Sequence, residues 1–161
     1  MFTADENGVY ARVQASPLRR VLAVAVLYGL GALVLYLTLA RPPAPFWLIV
    51  MLGFGALALW LGERLRRATE GGLELTDEAL RDTRGEVVAL IADVRAVERG
   101  ALAFKPSNGF TLVLKTRQPR AWAPGLWWRI GNRVGVGGVT SAAQAKFMAE
   151  QIAFRLSERD D

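Results

Sequence analysis

The chain has no cysteine and no histidine. Without cysteine there is no disulfide, no thiolate metal ligand and no thiol nucleophile. Without histidine the commonest general base and the commonest metal ligand are both missing. The four serines, Ser16, Ser107, Ser141 and Ser157, therefore have no imidazole to activate them, and nothing around them points to a lysine in that role. Asp77, Glu78, Asp82 and Asp93 are the one local group of carboxylates. Solvated turns and strand edges account for them better than a metal or an acid–base pair does. The expectation is a non-enzyme with no catalytic residue, no cofactor and no metal.

Charge is missing from two stretches. Residues 21–40, VLAVAVLYGLGALVLYLTLA, and residues 46–62, FWLIVMLGFGALALWLG, contain no Asp, Glu, Lys or Arg. A helix of twenty residues is about 30 Å long, which matches the hydrocarbon core of a bilayer, and seventeen is the short end of the spanning range. Arg19 and Arg20 bound the first stretch on one side, and Arg41, Pro42 and Pro43 on the other. Prolines cannot continue a helix. The five-residue link RPPAP makes the two helices antiparallel neighbours. Trp47 and Trp60 fall near the two ends of the second stretch, the level at which indoles prefer the interface. A transmembrane α-helical hairpin is expected over residues 17–67. A cleaved signal peptide fits less well, because the first apolar stretch exceeds the usual 7–15 residues and no small-x-small site follows it. Gly29, Gly31, Gly53 and Gly55 are open to two readings: close helix packing, or the ordinary frequency of glycine in membrane helices.

The flanks give an orientation. Arg12, Arg19 and Arg20 precede the hairpin, Arg64, Arg66 and Arg67 follow it, and the turn has only Arg41. Basic residues stay on the cytoplasmic side, so a multi-pass protein of the cell inner membrane with both termini cytoplasmic is expected. The absence of charge inside the spans argues against a transporter or pump. The net charge of +5 admits nucleic-acid binding, but no nucleic-acid motif is present and juxtamembrane arginines account for the balance.

After Gly71-Gly72 the pattern changes to short strands. Candidates are residues 73–75, 79–83 and 86–90 (a hairpin about Arg84-Gly85), 91–99 as a strand or a turn and strand, 101–105, 110–115, 120–123, 126–130 and 133–136. Breaks are expected at Pro124-Gly125 and Gly131-Asn132. Ala145, Met148, Ala149, Ile152 and Leu156 then recur at helical spacing, predicting a helix over 141–157 capped by Thr140 or Ser141, with Phe147 and Phe154 beside the stripe. The expected organisation is a cytoplasmic segment 1–16, the hairpin 17–67 and a soluble α+β domain 72–158: antiparallel strands in a barrel or bent sheet closed by the helix.

Residues 73–100, LELTDEALRDTRGEVVALIADVRAVERG, then FTLVLKT, GLWWRIGNRVGVGG and the terminal helix resemble the bacterial pleckstrin-homology-like (PH-like) domains found attached to membrane helices. The opening L-x-L-T-x-x-x-L and a D-[IV]-x-x-V step at Asp93, Val94 and Val97 carry the likeness, which covers about residues 72–157. It implies a seven-stranded barrel or sandwich with a C-terminal helix, and a tethered binding or scaffolding module without a common ligand.

A further absence lies inside this domain: no acidic residue occurs from Arg99 to Ala149, a span that holds eight basic ones. Either a face meets anionic headgroups or an acidic partner, or basic residues simply protect strand edges. Trp122, Trp127 and Trp128 lie among them, and adjacent Trp127 and Trp128 must face opposite ways on a strand, one inward and one outward. The contact residues expected are Arg117, Arg120, Trp122, Trp128, Arg129 and Arg133. The glycines at 131, 135, 137 and 138 fit neither a Walker loop nor a dinucleotide fingerprint and read as turns and close packing. The functional expectation is a membrane-anchored interaction or scaffolding module that binds a protein partner or an anionic lipid surface. The alternative is an accessory subunit of a membrane enzyme or transport complex. The oligomeric state is left open.

Overall fold

The computed structural model describes residues 4–99 and 107–160. The strand expected at 101–105 lies outside them. In chain order the elements are β1 (Ala11–Gln14), α1 (Pro17–Ala40), α2 (Pro45–Ala68), β2 (Gly72–Leu75), β3 (Ala79–Asp82), β4 (Val87–Leu90), a 3-10 turn (Ile91–Asp93), β5 (Val94–Glu98), β6 (Phe110–Ala123), β7 (Trp127–Val136) and α3 (Ala142–Asp160).

Helices α1 and α2 are each 24 residues, long and apolar enough to cross a membrane. Each begins with proline, whose fixed φ and missing N–H suit the first helical position. Both run further than the uncharged stretches. Arg19 and Arg20 are already in α1, and α2 continues through a ladder of ion pairs, Glu63–Arg66, Glu63–Arg67 and Arg66–Glu70, at helical spacing. It stops where the Thr69 hydroxyl donates back to the Leu65 carbonyl.

The hairpin's four glycines divide two and two. A Cβ on Gly31 would stand 2.8 Å from the Leu59 side chain and 3.0 Å from the Gly55 carbonyl oxygen. One on Gly55 would stand 2.7 Å from Leu35. Gly29 and Gly53 face open space. Gly31→Leu or Gly55→Leu is therefore expected to push the helices apart at a cost of ~1–3 kcal/mol, the usual range for overpacking. Gly29→Leu and Gly53→Leu are expected to be neutral. Thermal denaturation of the four variants in detergent checks this, and equal effects at all four positions would refute it.

The remaining elements form two antiparallel sheets, β1-β2-β3-β4 and β5-β6-β7, with α3 packed on β1 and β5. The sheets share one core: Val13, Leu73, Leu75, Leu80 and Val88 from the first, Leu112, Leu114 and Val134 from the second, and Met148, Ala149 and Ile152 from α3. The stripe Ala145, Met148, Ala149, Ile152 and Leu156 is buried throughout, as its spacing predicts.

Two features depart from the sequence reading. First, the segment 1–16 contributes β1, which pairs with β2 from Ala11↔Leu75 to Gln14↔Gly72, so the sheet begins before the hairpin. Its approach is held by Asp5, which accepts the Val9 and Asn7 N–H groups and pairs with Arg12. The Val9 N–H in particular holds the Asp5 carboxyl below its ordinary pKa. Second, the breaks expected between residues 115 and 120 and at Gly131-Asn132 are irregularities inside continuous strands. The β6–β7 register shifts between Val113 and Gln118 and again between Gln118 and Ala121, and Gly131 takes up φ +61°. Only Pro124-Gly125 ends a strand, as the turn between β6 and β7.

Candidate functional site

The β6–β7 turn rests on the charged end of α2. A Cβ on Gly125 would stand 2.6 Å from Leu65, and a Cβ on Gly138 would stand 2.8 Å from the Gly125 carbonyl oxygen, so both positions need glycine's small profile. Beside this contact, Trp60 and Arg64 lie four residues apart on one face of α2. The Arg64 guanidinium is 5.1 Å from the Trp60 ring centroid and 6.0 Å from that of Trp122 on β6. One cation thus joins an indole of the apolar helix to an indole of the sheet. The other helix-flanking arginines are held by oxygen. Arg12 pairs with Asp5 and Glu74, Arg20 with Glu70, and Arg66 and Arg67 with Glu63, while Arg19 donates to the Thr140 carbonyl. Arg64 has no ion pair among the described residues.

Trp122 and Trp128 are directly paired across β6 and β7 and share a face. Trp127 points the other way into the core, where its Nε1–H donates to Asp82 at 3.2 Å. Trp128 is half-buried because its indole lies over Gly135, where a Cβ would collide with it. Trp122 is 49% exposed and Ile130 53% exposed. With Arg64, Arg120 and Trp128 they line a shallow apolar groove of about 680 Å³. On the other side of Trp122 a second, polar cleft of about 540 Å³ separates α2 from the β3–β4 turn, lined by Trp60, Arg64, Arg67, Asp82, Arg84 and Glu86 among others.

The six expected contact residues therefore have different fates. Arg120, Trp122 and Trp128 come together beside α2. Arg117 is exposed on the irregular middle of β6 and has no ion pair among the described residues. Arg133 pairs with Glu98 at 2.8 Å. Arg129 is turned inward: its side chain is 11% exposed and donates to the carbonyls of Pro119, Val87 and Val88. Two members of the site, Arg64 and Ile130, were not legible as such. Arg64 reads as one flanking arginine among six, and the pairing that brings it to Trp122 spans 58 residues of sequence. No group of three or more His, Asp or Glu residues that could hold a metal ion occurs among the described residues. No family model, curated protein or solved structure matches the chain.

Proposed function

We propose that the chain is a membrane-anchored interaction module of PH-like architecture at the cytoplasmic face of a bacterial inner membrane, and that its β6–β7 hairpin rests on the anionic inner leaflet. The observation that carries this is the Trp60–Arg64–Trp122 stack. If α1 and α2 span the bilayer, Trp60 is at the interface, where indoles concentrate. Trp122 is then held at the same level, and Trp128, Ile130 and Arg120 beside it are presented to headgroups. The anchor also makes weak contacts sufficient, since a tethered surface meets the leaflet at high effective concentration. The seven strands among the described residues, closed by a C-terminal helix, suit the PH-like reading, and the clustering of basic residues at the base of the hairpin suits cytoplasmic termini.

Because the chain has no cysteine, single introduced thiols are unambiguous. A nitroxide on Ile130→Cys, in the full chain reconstituted into anionic nanodiscs, is expected to be more accessible to oxygen than to an aqueous nickel chelate. A nitroxide on Glu78→Cys, at the β2–β3 turn beyond α2, is expected to show the reverse. In cells, an impermeant thiol reagent is expected to reach Pro43→Cys and not Glu78→Cys. Equal aqueous exposure at residues 130 and 78 would remove the leaflet contact, and labelling of residue 78 from outside would reverse the topology.

A further inference from the structure

We propose that the apolar groove between α2 and the β6–β7 hairpin holds one anionic phospholipid whose headgroup carries no ammonium. This rests on the membrane reading of the hairpin and turns a leaflet contact into a discrete site for one lipid class. The groove measures about 680 Å³, within the usual range for sites that take a small ligand. Its apolar wall comes from two paired strands. Trp122 and Trp128 are opposite each other in the ladder, and Ile130 follows Trp128 by two residues and so shares its face. Trp122 and Ile130 are half-exposed, so this wall is open to a ligand's hydrocarbon. Arg120 joins it from β6, and Arg64 from α2.

The charge of the lining selects the headgroup. Three arginines and no carboxylate line the groove among the described residues. Arg129 is held by the carbonyls of Pro119, Val87 and Val88. Arg64 has only indole rings for partners, and Arg120 has no hydrogen bond or ion pair among the described residues. Their guanidinium N–H donors suit phosphate oxygens. An ammonium carried in with the phosphate would meet arginines and no acid, which disfavours ethanolamine and choline headgroups. The depth agrees with a lipid. Arg64 is four residues beyond Trp60, about 6 Å along the helix axis. With the Trp60 indole at the edge of the hydrocarbon, Arg64 lies in the headgroup layer, which adds about 5–8 Å on each side of the core. An acidic protein segment offers the same charge but brings no hydrocarbon at that depth.

The test is native mass spectrometry of the full chain released from detergent with equimolar dioleoyl phosphatidylglycerol, phosphatidylethanolamine and phosphatidylcholine. A single phosphatidylglycerol adduct is expected, exceeding each of the others several-fold. Arg120→Gln, at an exposed position that does not threaten the fold, is expected to lower it to the level of the others. Arg117→Gln removes the same charge from the same strand outside the groove and is expected to leave the preference intact. Glycerol 3-phosphate, which offers the phosphate without the chains, is expected neither to be retained nor to displace the lipid. Equal retention of the three lipids, the result expected if an acidic protein segment is the occupant, would overturn the assignment. So would a preference for either zwitterionic lipid, an equal loss in Arg117→Gln, or displacement by glycerol 3-phosphate. The mass measurement reports whether a lipid stays bound, and the nitroxide measurement reports where residue 130 lies, so the two readings fail separately.

Discussion

Ile152→Asp is expected to unfold the two sheets and α3 while the two apolar helices stay helical. Ile152 is fully buried, in the middle of the α3 stripe, with Met148 and Ala149 one turn before it. The substitution removes an apolar side chain whose burial is worth ~1.5–3 kcal/mol and leaves in its place a carboxylate with no designed partner, which adds a desolvation cost of several kcal/mol more. The two arginines that follow it on α3 are already used: Arg155 donates to the Thr76 carbonyl, and Arg159 to the carbonyls of Ile91 and Val94. A small domain holds only ~5–15 kcal/mol in total, so a loss of this size consumes most of it. Circular dichroism in detergent is expected to show the strand signal lost at ordinary temperature and a helical signal surviving to high temperature. Ile152→Val, which keeps the shape, is expected to cost only ~0.5–1.5 kcal/mol. An unchanged Ile152→Asp melt would mean that α3 is not seated on the sheets.

Why α3 was readable and β1 was not follows from where each signal lies. The α3 stripe is local: five apolar positions repeat at helical spacing within twelve residues. The apolar hairpin is equally local, and its helices run past the uncharged stretches because arginine and glutamate are good helix formers. Strand β1 is four residues, Ala-Arg-Val-Gln, with two inward side chains and a partner on the far side of both long helices. Nothing within it distinguishes it from a tail. The gap left between residues 115 and 120 and the break at Gly131-Asn132 depart from the structure for a related reason. A residue that disfavours regular pairing predicts a turn when read alone, and becomes a bulge when both flanking halves find partners. Of the site, the inward–outward alternation of Trp127 and Trp128 was legible, because it is a property of any strand. Which arginines remain free was not, because that depends on carbonyls and carboxylates supplied by other strands.

Arg129 is the clearest case, and its removal is expected to act on stability and not directly on membrane contact. The guanidinium donates from Nε to the Pro119 carbonyl at 2.8 Å and from Nη1 to the Val87 and Val88 carbonyls at 2.9 and 3.0 Å, and it lies 5.7 Å from the Trp127 ring centroid. It therefore fastens β4 of one sheet to β6 and β7 of the other, between which no ladder hydrogen bonds occur among the described residues. Hydrogen bonds from a charged donor contribute ~1.5–3 kcal/mol each, and water can re-enter to two of these partly exposed carbonyls, so Arg129→Leu is expected to cost ~2–4 kcal/mol in all. For a domain of this size that corresponds to a fall in melting temperature of about 10–20 °C. Arg129→Lys is expected to recover little of it, because a single ammonium cannot reproduce a planar fork aimed at three carbonyls. Arg120→Leu is the contrast. Arg120 is exposed and without an ion pair among the described residues, so its loss is expected to change stability by no more than ~0.5 kcal/mol. It should instead weaken the leaflet contact of the Ile130 nitroxide by the ~1 kcal/mol typical of one basic group near an anionic surface. The two variants, melted side by side in the same detergent, separate a structural arginine from an exposed one. Equal melts, or a larger fall for Arg120→Leu, would return Arg129 to the surface role that its position among the basic residues first suggests.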